Sequence, residues 1–138
     1  MRRLVLVATA AAAALAMLAV PSSARIDHHF AVDLKGSETQ FHGDRNRFRL
    51  RAPLVATFNH DNQVGRLQIH CSRRPEKIKC AGLVHLNGDV GGEGFIYVRG
   101  NLGRNDSRLN VTGGTDDFDG AAGKITAPKN RFHFHLVR

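Results

Sequence analysis

Val111–Lys124 reads VTGGTDDFDGAAGK, with four glycines and three aspartates packed between apolar runs that alternate like strands. Glycine reaches positive φ at little cost, and aspartate steadies tight turns by bonding its own backbone. Gly113, Gly114, Asp117, Gly120 and Gly123 therefore predict a shaped loop that joins two strands. Asp116, Asp117 and Asp119 could also pair as acid and base, since neighbouring carboxylates push one pKa up, but turn chemistry is the expected role for carboxylates in a glycine loop.

Period-two patterns recur on both sides of this loop. Phe30, Val32 and Leu34 alternate with Ala31 and Asp33, and Phe48, Leu50, Ala52, Leu54, Ala56 and Phe58 keep one phase. Pro53, in the opposite phase, cannot donate to a ladder and predicts a bend or bulge. Leu67, Ile69 and Cys71 share a face, as do Cys80, Val84 and Leu86, with Ser72–Lys79 as the exposed connection between them. Further strands are expected over Phe95–Val98, Leu109–Thr112 and Arg131–Val137, and Gly82 and Gly94 suit tight bends. Seven or eight short strands with no helix among them predict an all-β antiparallel sandwich or small closed barrel.

The first residues have a different logic. Arg2 and Arg3 precede an apolar run from Leu4 to Val20, broken only by Thr9, and Pro21-Ser22-Ser23-Ala24 comes after it. This pattern predicts a secretory leader over 1–24 and a single domain over 25–138, located outside the cell. The alternative, a membrane anchor, needs about 20 residues and the run is shorter. Loss of Arg2 and Arg3 from twenty basic side chains against twelve acidic ones leaves a formal charge of +6. In an oxidising compartment Cys71 and Cys80 are expected to pair, the alternative being two buried thiols.

Excess positive charge raises the question of polyanions. Arg45, Arg47, Arg49 and Arg51 share one strand face with no aromatic interleaved, so nucleic acid is not an expected partner. A solvated outer face is the plain reading, and weak attraction to anionic surfaces the other.

The order of motifs then narrows the fold. Gly43-Asp44 precedes a long strand, Val64-Gly65 opens the strand ending at Cys71, Cys80 opens the next, and VTGGTDDFDGAAGK leads to RFHFHL at 131–136. Over Phe41–Leu136 this series resembles the allene oxide cyclase and dirigent barrel superfamily, with its GD and VG elements, its ITGGTG-F-G-GxG-like loop and its terminal aromatic strand. The resemblance implies an antiparallel barrel of about eight strands around an apolar cavity, commonly a homotrimer and often exported. It also implies two chemistries, cyclisation of an unsaturated epoxide and guidance of radical coupling. Two departures stand against transferring either. Arg47 to Ala52 replace the run that carries the cyclase's water-binding Asn, and Asp116 replaces a usual glycine.

The expected function is that of an exported, non-enzymatic barrel that binds a small apolar or aromatic ligand or serves as a structural extracellular protein. Phe48, Leu50, Phe58 and Phe134 are the expected cavity residues. The competing expectation is a dirigent-like or cyclase/isomerase activity on an unsaturated small molecule. Its best catalytic residues are His60, continuing the phase of Phe58 at a strand end, and Tyr97, in phase with Phe95. His133 and His135 share a face opposite Phe132, Phe134 and Leu136, without a third ligand; no metal and no cofactor are expected. His28-His29 adjoins the new N-terminus, where order commonly frays.

Overall fold

The computed structural model describes residues 27–104 and 106–138, so the leader over 1–24 lies outside the described residues. Nine strands occur in order: β1 Asp27–Leu34, β2 Gln40–Gly43, β3 Arg47–Ala56, β4 Asn59–Arg73, β5 Ile78–Asn87, β6 Glu93–Leu102, β7 Asp106–Gly114, β8 Ala122–Pro128 and β9 Arg131–Val137. Two single 3-10 turns, Gly36–Glu38 and Asp116–Phe118, interrupt them.

Neighbouring strands are antiparallel and run β1-β9-β8-β7-β6-β5-β4-β3, and β1 returns to pair with β3, closing an eight-stranded barrel. Closure rests on Val32↔Ala56, Asp33↔Val55 and Leu34↔Leu54. The first half of β3 pairs instead with β2, which stands outside the ring as a flap. One strand thus serves two partners, and the chain bends where it changes from one to the other. The β3–β4 register slips between Leu54 and Val55, where Leu54 faces Gly65, Val55 faces Gln63, and Val64 between them has no partner. Leu54, Val55 and Val64 are all buried. A bulge of this kind flips the inward–outward phase of the residues beyond it.

Inward residues from every strand of the ring fill the lumen. Val32, Leu54, Ile69, Val84, Ile96, Leu109, Ile125 and Phe134 belong to one buried cluster, most of them with almost no exposed surface. An eight-stranded barrel is just wide enough for side chains to fill. Gly82 shows how closely the wall is wound: a Cβ there would stand 2.1 Å from the Gln68 carbonyl oxygen across the β4–β5 pair.

The glycine loop caps one end of the barrel. Thr115 N–H donates to the Phe95 carbonyl at 2.9 Å, its hydroxyl accepts from Phe95 N–H at 3.1 Å, and the 3-10 turn drops Phe118 into the core. The Asp117 carboxylate accepts the Glu93 N–H at 2.8 Å. Gly113, Gly120 and Gly123 have positive φ, and so does Asp116, at 55°. Asp116, which stands where the resembled loop has a usual glycine, therefore occupies a backbone conformation that favours glycine.

Candidate functional site

The β2–β3 hairpin rises past the opposite end of the barrel and builds its mouth. Its turn is made by Asp44, whose Oδ1 accepts the N–H groups of Asn46 at 2.7 Å and Arg47 at 2.8 Å. These two bonds hold the Asp44 carboxyl below its ordinary pKa, the Arg47 N–H contributing most. With the turn fixed, Phe41 and Phe48 project from the inner side of the hairpin, ring centroids 6.1 Å apart. Phe48 leans on the core, while Phe41 is 66% exposed. A cleft of about 380 Å³ opens here, lined by Phe41, His42, Phe48 and Ile78 together with Arg45, Arg73 and Asp44, whose carboxylate is taken up by the turn's own N–H groups.

Below the mouth, Cys71 and Cys80 stand directly opposite across β4 and β5 and form a disulfide, Cα atoms 4.1 Å apart. Phe48 is the partner of Cys71 on the other side. The bond ties the two strands flanking the β4–β5 connection and so fixes the mouth's floor.

The expected cavity residues separate. Phe48 lines the mouth, Leu50 packs half-buried against the core, and Phe134 lies inside the packed lumen stacked on Phe30 at 4.5 Å. Phe58 departs from expectation: the inward phase of β3 runs to Ala56, which packs on the core, but the strand ends there and Phe58 falls in the turn to β4, fully exposed.

Both expected catalytic side chains lie outside the lumen. In β6 the buried phase is Ile96 and Val98, which turns Phe95 and Tyr97 outward, Tyr97 being 43% exposed. His60, with its side chain 68% exposed, sits at the seam between β1, β3 and β9, its Nε2 3.0 Å from Asp33 Oδ2. Sequence reasoning missed Asp33. It sits between Val32 and Leu34, which pack inward, and accepts from Arg131 Nε at 2.7 Å and Nη2 at 3.1 Å. Arg131, more than burial opposes, holds the Asp33 carboxyl below its ordinary range, with His60 adding to the effect. No local signal points to this cluster, since Arg131 lies 98 residues away along the chain.

His28 and His29 are not frayed but paired in β1, and His29 Nδ1 is 2.9 Å from His135 Nδ1 on β9. Among the described residues no group of three or more His, Cys, Asp or Glu is placed to hold a metal ion.

Closed antiparallel topology, a β2 flap and a glycine loop capping one end make an eight-stranded barrel of the kind the resemblance implies. Solved structures agree on that fold. The chain is similar to a pyocyanin demethylase, with 19% identity and a TM-score of 0.60 over 78% of this chain and 98% of the other. It is also similar to the pterocarpan synthase dirigent protein GePTS1, with 12% identity and a TM-score of 0.57 over 82% and 84% of the two chains. No family model matches the sequence, and no curated protein does.

Proposed function

We propose that this is an exported, non-enzymatic barrel that holds a small aromatic ligand at its mouth and leaves the packed lumen as scaffold. The observation carrying the reading is the cleft in which Phe41, Phe48 and Ile78 stand beside Arg45 and Arg73. Apolar rings with a few convergent polar groups are the usual make-up of a small-molecule site, and two guanidinium groups favour a ligand with a carboxylate, sulfonate or phenolate. The disulfide supports the exported half of the reading, because such bonds persist in oxidising compartments.

Anilinonaphthalene sulfonate, an aromatic anion, is the probe. Its fluorescence should rise with one-to-one stoichiometry and fall back in Phe41→Ser and in Arg73→Gln, two exposed changes that spare the core. Binding indifferent to both changes overturns the mouth site. Protein sequencing of the secreted product should begin at Arg25, and retention of the leader overturns export.

A second reading is transformation of a small molecule, favoured by the names of the two similar barrels, a demethylase and a synthase. In that reading the titratable candidates lining the cleft include Asp44 in the turn and His42 at the rim shared with the outer wall. Recovery of a chemically altered ligand, lost in His42→Ala, selects it over simple binding.

A further inference from the structure

Across the β2–β3 hairpin from the mouth, the outer wall carries a different chemistry. Arg47, Arg49 and Arg51 occupy successive outward positions of β3, all exposed. Register sets His42 and His70 on either side of Arg49, and Gln40 and Gln68 on either side of Arg51. Alternate residues along a strand lie about 6.8 Å apart and neighbouring strands about 4.8 Å, so the arginines form a column flanked by imidazoles and amides. Two surface concavities run along this column. One of about 440 Å³ includes Arg47, Arg49 and His70, and one of about 490 Å³ includes Arg51, Gln63 and Arg66.

Charge on this wall has one sign. Over the outward strand positions within Arg47–Pro53, Arg66–Ser72, Lys79–His85 and Phe95–Asn101 there is no carboxylate, and Lys79 and Arg99 extend the face beyond β4. None of these arginines, nor Lys79, makes an ion pair among the described residues. The acids at the two ends are engaged: Asp44 by backbone N–H groups, and Glu38 by Lys35 at 2.6 Å. Fixed cations without internal counterions attract an external polyanion.

We infer that the groove along β3 is a binding site for an acidic polysaccharide. Guanidinium groups in a row take carboxylates or sulfates in bidentate fashion. The amides of Gln40, Gln63 and Gln68 both donate and accept, which suits the hydroxyls of sugar rings. No Phe, Tyr or Trp stands at the outward positions of β2 or β3, or of β4 from Arg66 to Ser72, and Phe48 is the one such residue bordering the two concavities, so the groove offers a single ring rather than the row of stacking platforms that single-stranded nucleic acid uses. This site does not depend on a ligand at the mouth.

The test compares retention of the protein, as its host produces it, on polygalacturonate, on a single-stranded oligonucleotide of equal charge, and on neutral dextran. Polygalacturonate should bind most tightly, with an affinity that falls as salt rises. The triple change Arg47→Ser, Arg49→Ser, Arg51→Ser should weaken it about tenfold or more and flatten the salt dependence, as expected when counterion release at three sites is lost. The control pair Arg108→Gln and Lys124→Gln, on the far wall, should leave it within about twofold, since those cations lie outside the groove. Losses in the two variants that match per charge removed, three against two, would mean attraction by net charge alone and overturn the site. Tighter binding of the oligonucleotide overturns the polysaccharide as occupant. A circular dichroism spectrum matching the parent shows that the triple variant is folded, all three residues being surface-exposed.

Discussion

Asp33 and Arg131 face each other across the β1–β9 pair and are joined by two parallel hydrogen bonds, 2.7 Å from Nε to Oδ1 and 3.1 Å from Nη2 to Oδ2. His60 adds a third contact from the β4 side at 3.0 Å. The Asp33 carboxylate is only 12% exposed, so the cluster pins three strands at the place where the barrel closes.

Arg131→Ala should therefore cost about 2 kcal/mol, mostly from stranding a buried carboxylate. Chemical denaturation of the variant against the parent measures it. Asp33 has a folded pKa below its unfolded value of about 3.9. Its contribution is complete above that unfolded value and is lost as pH falls through the folded one. Stability should thus drop below about pH 4, and Asp33→Asn should remove that part of the acid slope. A slope unchanged in Asp33→Asn contradicts the assignment.

Reduction of Cys71–Cys80 should destabilise the fold without unmaking it. The bond closes ten residues, worth about 2.5 to 3 kcal/mol on the chain-entropy account. For a domain of this size that corresponds to a fall in Tm of about 10 °C. Calorimetry with and without reductant gives the number, and a shift near zero would show that β4 and β5 are held by their ladder alone.

Two glycines of the capping loop should respond differently to a methyl group. At Gly114 a Cβ would meet the Phe118 carbonyl oxygen at 2.5 Å, the Phe118 Cβ at 2.7 Å and the Phe95 carbonyl oxygen at 2.7 Å. At Gly120 it would meet nothing within 4 Å, and only the φ of 71° opposes it. Gly120→Ala should cost about 1 kcal/mol, the left-handed penalty alone, and Gly114→Ala clearly more. Equal costs would mean that the loop yields at Gly114.

Phe58 and Phe134 test the packed lumen. Phe134→Ala should cost about 3 to 5 kcal/mol, as expected for an aromatic ring removed from a close-packed core. Phe58→Ser should leave stability within about 0.5 kcal/mol, as expected for an exposed turn residue. Urea titration of both variants decides the matter; a small loss for Phe134→Ala would indicate a lumen with room to collapse.

The barrel is legible from the loop at 111–124 and from strand phase, and β9 falls over Arg131–Val137 as its alternation implies. Phase fails where two apolar sets compete. In GFIYVRGN the outward set runs from Phe95 and Tyr97 on to Arg99 and Asn101, and those two polar members mark it as the solvent face; aromatic character points the other way. It fails again at Phe58, since Thr57-Phe58 carries no glycine, proline or aspartate to mark the turn in which β3 ends. The Asp33 cluster is hidden for a related reason: tertiary closure alone brings Arg131 and His60 to it.

The ring is a hoop fastened by a short buckle. β1 meets β9 along seven residue pairs but meets β3 along only three, because β2 has taken the rest of that edge. Breathing of the hoop should begin there, and amide hydrogens at the buckle should exchange before those of β5 or β6. Each opening would leave two bare strand edges, so the same few bonds that give the protein an inside also guard it against sticking to its neighbours.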